Sequence, residues 1–231
     1  MTDIKIWDAP VRIFHWALAA AIFIAYFSGD EVFNLHAAAG YAAAVLIFFR
    51  LIWGFVGPYH SRFTTFMAGP AEFGRFVRGL ATGQPPRYLT HNPIGAVSTV
   101  LLLGGTIAVI WTGLQGEAGE DLHEVLAKGL MALVGLHVVG VIAESVMTRE
   151  NLVRAMVTGR KRPLKGGTNT PEPSPAGVTA RFALAALLTV LASFGAGQTT
   201  TLFQWPPAYE DHDEGHENEG EPDEAADEDH E

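Results

Sequence analysis

Four histidines lie within or at the edges of apolar stretches of the sequence: His15, His36, His123 and His137. A neutral imidazole binds transition metals and also carries protons near neutral pH. His123 and His137 are fourteen residues apart in one apolar stretch. In a helix of about 100° and 1.5 Å per residue, their side chains fall within about 40° of one face and about 21 Å apart. One helix is therefore predicted to present two imidazoles on one side, at two depths.

The elements that must position these histidines are membrane-spanning helices. The chain has 231 residues, of which 48% are hydrophobic, and the apolar residues are gathered in blocks. About twenty apolar residues suffice to cross a bilayer as a helix. We therefore predict spans at about residues 12–28, 36–56, 93–113 and 123–146, which together with their connections form one domain over 1–162. The first twelve residues lack the pattern of a cleaved signal peptide, so the first span is expected to be retained. The absence of cysteine excludes disulfides, thiolate metal sites and thioether-attached haem.

The C-terminal third has a different composition. Residues 163–179 are rich in Pro and Gly and are predicted to be a linker, and residues 180–197 form a fifth apolar block, predicted to be a fifth transmembrane helix. Residues 198–231 form a tail that contains thirteen Asp/Glu and no Lys/Arg, and this composition predicts disorder. The tail has three alternative roles: solubilisation, electrostatic steering of a basic partner, or loose binding of divalent metal through His212, His216 and carboxylates.

The orientation in the membrane follows from the distribution of basic residues. Residues 1–209 hold fifteen Lys/Arg against twelve Asp/Glu, a formal charge of +3. The first and third connections contain no Lys or Arg, whereas the second connection and the segment after the fourth span are rich in both. Because cytoplasmic loops carry the excess of Lys and Arg, the N-terminus is predicted to be cytoplasmic and the tail periplasmic, in a bacterial inner membrane.

This orientation gives each histidine a depth. His15 and His137 fall near the cytoplasmic side, and His36 and His123 fall near the periplasmic side. Paired imidazoles from facing helices hold cofactors in helical bundles, and haem iron accepts nitrogen at both axial positions. We therefore predict two haem groups, one between His15 and His137 and one between His36 and His123. A haem with both axial positions filled passes electrons and leaves no site for a substrate.

Other polar residues have alternative interpretations. Arg12 and Arg50 are candidate partners for haem propionates, although simple snorkelling toward the head groups is the more common role. His60 and His91 lie in the second connection and are predicted to be solvated. Within that connection, residues 71–80 have the spacing of a short amphipathic helix at the membrane surface. A single histidine near a span end is more often an interfacial residue than a ligand, but four at matched depths are a much less common accident.

The motifs of residues 5–165 resemble the bacterial cytochrome b561 and nickel-hydrogenase b-type cytochrome group. The motifs that carry the resemblance are Trp7–Trp16, Leu35–Tyr41, Phe49–Gly57, Tyr88–Ala96, His123–Ala127, Gly135–Val138 and Arg149–Met156. The resemblance implies an all-α membrane protein in which the same four histidines hold two b-type haems. It further implies electron transfer in the respiratory chain between membrane quinone and a periplasmic redox partner.

The resemblance leaves the partner and the direction of electron flow open. A c-type cytochrome is the favoured periplasmic partner, which would make the chain part of a quinol:cytochrome c or quinone-reducing oxidoreductase. The alternative is a membrane-anchoring cytochrome subunit of a hydrogenase or another oxidoreductase. A transporter that relays protons through histidines and a purely structural subunit are the remaining hypotheses. The other expected partners are membrane lipid, quinone and a second copy in a homodimer, and no nucleic acid is expected.

Overall fold

The secondary structure of the chain is almost entirely helical. The computed structural model describes residues 3–29, 31–66, 69–84, 86–163 and 175–199. Within them, the helices are α1 (Ala9–Ser28), α2 (Phe33–Val56), α3 (Phe63–Phe66), α4 (Pro70–Ala81), α5 (Pro93–Gly113), α6 (Glu120–Thr148), α7 (Leu152–Thr158) and α8 (Pro175–Thr199). The strands β1 (Ile4–Lys5) and β2 (Arg160–Lys161) form one short antiparallel pair, which the sequence did not predict.

Four of these helices, α1, α2, α5 and α6, are long and apolar enough to cross a membrane. The prediction of an all-α, multi-pass membrane protein is therefore confirmed. The bounds of α5 agree with the predicted span, whereas α1, α2 and α6 each begin three residues before it. In α6 the added turn starts with Glu120 and Asp121, and in α1 and α2 it includes Pro10 and Asn34, residues that a search for apolar runs does not count as part of a span. Asp8 caps α1 and Asn92 caps α5, each followed by a proline in the first turn, where proline costs no hydrogen bond.

The spanning helices pack as two pairs, α1 against α2 and α5 against α6, with α2 also touching α5. We call the end of the bundle that carries the 57–92 connection and α7 the basic end. The end that carries the 29–32 and 114–119 connections is the acidic end. All 29 residues of α6 are described, and only Leu130 among them is buried. Most of α6 therefore presents apolar side chains to its surroundings, as a helix in lipid does.

At the basic end, the N-terminal segment of the chain is hydrogen-bonded to the segment that follows α7. The backbone N–H groups of Ile6 and Trp7 both donate to the carbonyl oxygen of Gly159, at 2.8 and 3.1 Å. Gly159 has a φ of 78°, and a Cβ there would lie 2.5 Å from the Trp7 carbonyl oxygen. Only glycine satisfies both the left-handed backbone and this close approach.

A buried carboxylate, that of Asp8, joins α1 to α2 at this end. Its Oδ1 accepts from the N–H of Val11 at 2.8 Å, and its Oδ2 accepts from Trp53 Nε1 at 3.1 Å and from the Ser61 hydroxyl. Trp53 is fully buried. The sequence did not predict this role for Asp8, because its partners lie 45 and 53 residues away along the chain.

Arg50 belongs to the same network and is buried, with 4% of its surface exposed. Its Nη1 donates to the carbonyl oxygen of Ser61 at 3.1 Å, and its guanidinium lies 4.6 Å from the centre of the Phe63 ring. The expectation that Arg50 snorkels toward the head groups is therefore wrong. The nearby charge of Asp8 and the face of the Phe63 ring partly offset the cost of burying this cation.

After the four spans, α8 begins at Pro175, inside the stretch predicted to be a linker. It packs on α2, with Phe182 edge-on to Phe49 and Trp53. Its described apolar part, Gly177–Val190, is shorter than any of the four spans, so a fifth crossing remains a prediction. The tail, including His212 and His216, lies outside the described residues.

Candidate haem-binding site

The structure brings the rings of two of the four histidines close together at the acidic end. His36 lies in the first turn of α2 and His123 in the first turn of α6. Their ring centres are 5.8 Å apart, and the ring planes make an angle of 77°. The two rings come from helices that are far apart in sequence, so the fold as a whole creates the pair.

Both rings are held by backbone carbonyls. His36 Nδ1 lies 2.8 Å from the carbonyl oxygen of Ala25 on α1, and His123 Nδ1 lies 2.9 Å from that of Val109 on α5. A carbonyl only accepts, so each Nδ1 must carry the proton, and each Nε2 is then the nitrogen with a free lone pair. Neither Nε2 has a hydrogen bond within the described residues. This arrangement, with Nδ1 bonded and Nε2 available, is the usual one for metal-binding histidines.

The spacing of the rings fits two ligands of one metal ion. Metal–imidazole bonds of about 2.0–2.1 Å place two opposed nitrogens about 4 Å apart and the ring centres about 6 Å apart. The observed 5.8 Å is close to that value. These residues therefore fit the two axial positions of a haem iron, although whether they bind haem stays a prediction.

The ring of His123 also depends on a glycine. A Cβ on Gly113 would lie 2.9 Å from His123 Cε1 and 3.0 Å from Nδ1, which is closer than packed atoms approach. Gly113 ends α5, and the chain turns there towards α6. Because Gly113 has no side chain, the His123 ring has room to reach the carbonyl oxygen of Val109.

The other two histidines lie towards the basic end, on α1 and α6. His137 Nδ1 lies 3.3 Å from the Ser98 hydroxyl of α5. His15 Nδ1 is buried and has no hydrogen-bond partner within the described residues. A buried ring nitrogen without a partner is costly. The helices α1 and α6 also do not pack along their length. These observations fit a group bound between His15 and His137.

A third histidine, His91, lies in the same region, and its prediction as a solvated residue is wrong. Its ring is edge-on to Trp7, with 5.1 Å between centres, and its Nδ1 is sealed from solvent. Burial lowers the pKa of His91 to about 3, with smaller contributions from the charges of Arg50 and Lys161 and from the nearby His137 and His15. His91 is therefore neutral near neutral pH.

His60 is likewise partly buried, and burial lowers its pKa. It lies edge-on to Tyr59, with 5.3 Å between ring centres. The solvated environment predicted for His60 therefore holds only in part, because the connection folds onto the basic end.

The arginines proposed as propionate partners differ in their surroundings. Arg12 donates through Nη1 to the carbonyl oxygen of Val157, while its Nε is buried and has no acceptor within the described residues. Arg50 is directed to Ser61, Phe63 and Asp8. Arg12 thus retains a donor for a further acceptor. A propionate role stays a prediction for both.

Sequence reasoning missed two further polar links at the basic end. Asn92 caps α5 through Oδ1 and donates through Nδ2 to Glu144 of α6, at 2.7 Å. Glu150 is buried and pairs with Arg87 at 3.0 Å and with Lys161 at 3.8 Å. The Asn-Pro pair before a long apolar run was a readable helix-cap signal. The ion pairs had no local signal.

The protonation of the Glu150 cluster follows from its contacts. Burial alone would raise the pKa of Glu150, but hydrogen bonds from the Arg162 N–H and Arg87, with the charges of Lys161 and Arg87, outweigh it and lower the pKa. Burial lowers the pKa of Lys161, and the charges of Glu150 and Glu144 partly oppose this. Within the described residues, no cluster of three or more His, Asp or Glu has the arrangement of a metal site.

A family model described as prokaryotic cytochrome b561 matches residues 6–159. This range includes all four spanning helices and the closing contact at Gly159. The chain belongs to the prokaryotic cytochrome b561 family. A member of this family is a b-type cytochrome, so the protein is a haem-binding, membrane-spanning electron-transport protein.

Named relatives of this cytochrome b561 family member are described as probable Ni/Fe-hydrogenase B-type cytochrome subunits. The one from Rhodobacter capsulatus is 26% identical over 214 residues, which covers 69% of this chain and 82% of that protein. The one from Rhizobium leguminosarum bv. viciae is 23% identical over 216 residues, covering 69% and 89%. The one from Azotobacter vinelandii is 25% identical over 211 residues, covering 68% and 88%. No solved structure matches this cytochrome.

Proposed function

We propose that the protein transfers electrons across the membrane through two b-type haems, between membrane quinone and a hydrogenase-type oxidoreductase. One haem is held by His36 and His123, and the other by His15 and His137. The facing His36–His123 pair, with both Nδ1 atoms bonded to backbone carbonyls, carries this proposal.

Haem iron supplies a reversible one-electron carrier, and the protein determines where that carrier sits. The carbonyls of Ala25 and Val109 fix the tautomer and orientation of His36 and His123. Ser98 orients His137, and Arg12 is the better placed of the two arginines to bind a propionate. If two histidines hold each haem, the haem would carry electrons without binding oxygen or a substrate at its iron.

The partner is proposed from the relatives, whose names describe hydrogenase subunits. They favour the hydrogenase alternative over the c-type cytochrome that the sequence suggested first. Co-purification from the native membrane distinguishes the two: recovery of a nickel-containing oxidoreductase supports the proposal, whereas recovery of a c-type cytochrome overturns this part of it. The same preparation, sized in detergent, reports whether the chain forms a homodimer.

The orientation is proposed from the charge distribution. The basic end carries the arginines of the 57–92 connection and of α7, whereas the connections at the acidic end contain no Lys or Arg. We place the basic end and the N-terminus in the cytoplasm of a bacterium, with the His36–His123 pair near the periplasm. Protease protection of a tag placed after residue 163 or in the 114–119 connection tests this.

A proton-relay transporter is the rival from another class, and it requires acidic partners along the spans. Glu144 is bonded to Asn92, and Glu124 forms an exposed ion pair with Lys128 on its own helix. Both carboxylates are therefore engaged by groups other than a histidine. This observation favours the electron-transfer function.

The test is haem content and the reduced-minus-oxidised spectrum of single histidine variants. We expect His36→Ala and His123→Ala each to remove the same one of two haems. We expect His15→Ala and His137→Ala each to remove the other. His60→Gln is the control, because it changes a partly buried histidine of the connection and should leave both haems bound.

The outcomes separate the hypotheses. Loss of different haems within one pair contradicts the assigned pairing. A wild-type protein without b-type bands contradicts the whole proposal, and electron transfer that survives all four substitutions indicates a structural subunit.

A further inference from the structure

A groove of about 330 Å³ lies at the basic end between α6 and α7. Its walls are mainly apolar and include Ile142 and Val146 of α6 and Val153 of α7. These three side chains are 55%, 72% and 48% exposed. The groove continues the apolar, outward-facing surface of α6, so an acyl chain lying along that helix would reach it.

Arg149 lies at the mouth of this groove, where α6 ends. It is the only residue other than glycine with a positive φ among the described residues, at 52°. Its N–H donates to the carbonyl oxygen of Val146, and its own carbonyl accepts from Arg162. Its exposed guanidinium forms no ion pair within the described residues. The backbone thus adopts an uncommon conformation that leaves a cation at the end of an apolar groove.

The other charges around the groove do not cancel this cation. Glu150 also lines the groove, but its carboxylate is buried against Arg87 and Lys161. Residues 148–162 contain five Lys/Arg and one Glu, a formal charge of +4. A cluster of basic residues directly after a spanning helix attracts anionic lipids. The groove therefore has an apolar wall and a cation at its opening. Its position at the end of a spanning helix places it at the level of the lipid head groups.

We propose that this groove binds one anionic phospholipid, with an acyl chain against Ile142, Val146 and Val153 and the phosphate at Arg149. The site does not depend on haem or on the redox partner. Quinone fits it less well, because a neutral ring has no need of the cationic mouth. The bound lipid would fill the gap between α6 and α7 and help to hold α7 against the basic end.

The test is native mass spectrometry of the full-length protein in detergent, given equal amounts of phosphatidylglycerol and phosphatidylcholine. Arg149→Asn removes the charge but keeps a residue that tolerates the left-handed backbone. Arg149→Lys keeps the charge. Arg78→Gln is the matched control, because Arg78 is also an exposed cation at the basic end but does not line the groove.

We expect the wild-type protein, Arg149→Lys and Arg78→Gln to retain one phosphatidylglycerol in preference to phosphatidylcholine. In Arg149→Asn, retention should fall about five-fold, the effect of one basic residue near an anionic surface. Val146→Trp should lower the retention of both lipids by filling the groove without a change in charge.

Four results would overturn the proposal. Equal retention of the two lipids, or retention unchanged in Arg149→Asn, would show that the groove does not select an anionic head group. Displacement of the lipid by inorganic phosphate would indicate a free-anion site. Displacement by a short-chain quinone would indicate that quinone occupies the groove.

Discussion

Replacing Gly113 with alanine should disturb the haem proposed between His36 and His123 and leave the haem proposed between His15 and His137 intact. The added methyl carbon would lie 2.9 Å from His123 Cε1, whereas carbon atoms in contact prefer about 3.5–4.0 Å. The ring must therefore retreat by about 0.6–1.1 Å. It cannot do so and keep its 2.9 Å bond to the Val109 carbonyl unless α5 moves with it.

The magnitude follows from these two effects. Overpacking of this kind costs about 1–3 kcal/mol, and losing the bond that orients a metal ligand lowers metal affinity about 10- to 100-fold. We therefore expect the Gly113→Ala protein to hold the haem of His36 and His123 about 10- to 100-fold more weakly. The haem of His15 and His137 should be unaffected, because those residues lie towards the opposite end of the bundle.

The measurement is the rate and extent of haem transfer to excess apomyoglobin. The expected trace for Gly113→Ala has one fast and one slow phase of equal amplitude. Gly104→Ala is the matched control on the same helix, because a Cβ there meets nothing within 4 Å. If Gly113→Ala retained both haems with wild-type kinetics, the His123 ring would not be confined as described, and its role as an oriented ligand would be refuted.

Two further predictions concern the polar networks of the basic end. Asp8→Ala should lower the free energy of unfolding by about 1–3 kcal/mol, because it removes the cap of α1 and leaves the buried Trp53 Nε1 without its acceptor. Asp8→Asn, which keeps the cap of α1, should cost less in the same denaturant titration, and equal losses would contradict this. Because the folded protein lowers the pKa of Glu150 below 4.5, its contribution to stability is present above that value and is lost as the pH falls through the lowered pKa. Glu150→Gln should therefore flatten the dependence of the unfolding midpoint on acidic pH, and parallel profiles for the two proteins would refute the assignment.

The sequence predicted those parts of the fold that depend on local composition. A run of about twenty apolar residues crosses a bilayer whatever its neighbours are, so the four spans could be placed within a few residues. The capped starts of α1 and α5 could also have been read, because an Asp or Asn followed by proline is a local signal. The β1–β2 pair could not, since each strand has only two residues.

The candidate site was predictable in part. Helical spacing and depth place His36 and His123 at one level, but the carbonyls that orient them belong to α1 and α5 and are recognisable only in the folded chain. The same limit explains the wrong predictions for Arg50 and His91. Composition marks a charged or titratable side chain as polar, whereas its burial depends on partners brought by distant segments, such as Asp8 for Arg50 and Trp7 for His91.

The contact of Ile6 and Trp7 with Gly159 also sets an order of assembly. The nearby bond from Arg12 to Val157 joins residues 145 positions apart, so it forms only after the whole four-helix core has been synthesised. Helices α1 and α2 are synthesised first, and β1 stays unpaired until β2 has been synthesised. The contact of Ile6 and Trp7 with Gly159 therefore forms late, once the four-helix core is complete. A chain truncated before Gly159 would leave the buried face of Trp7 exposed to water.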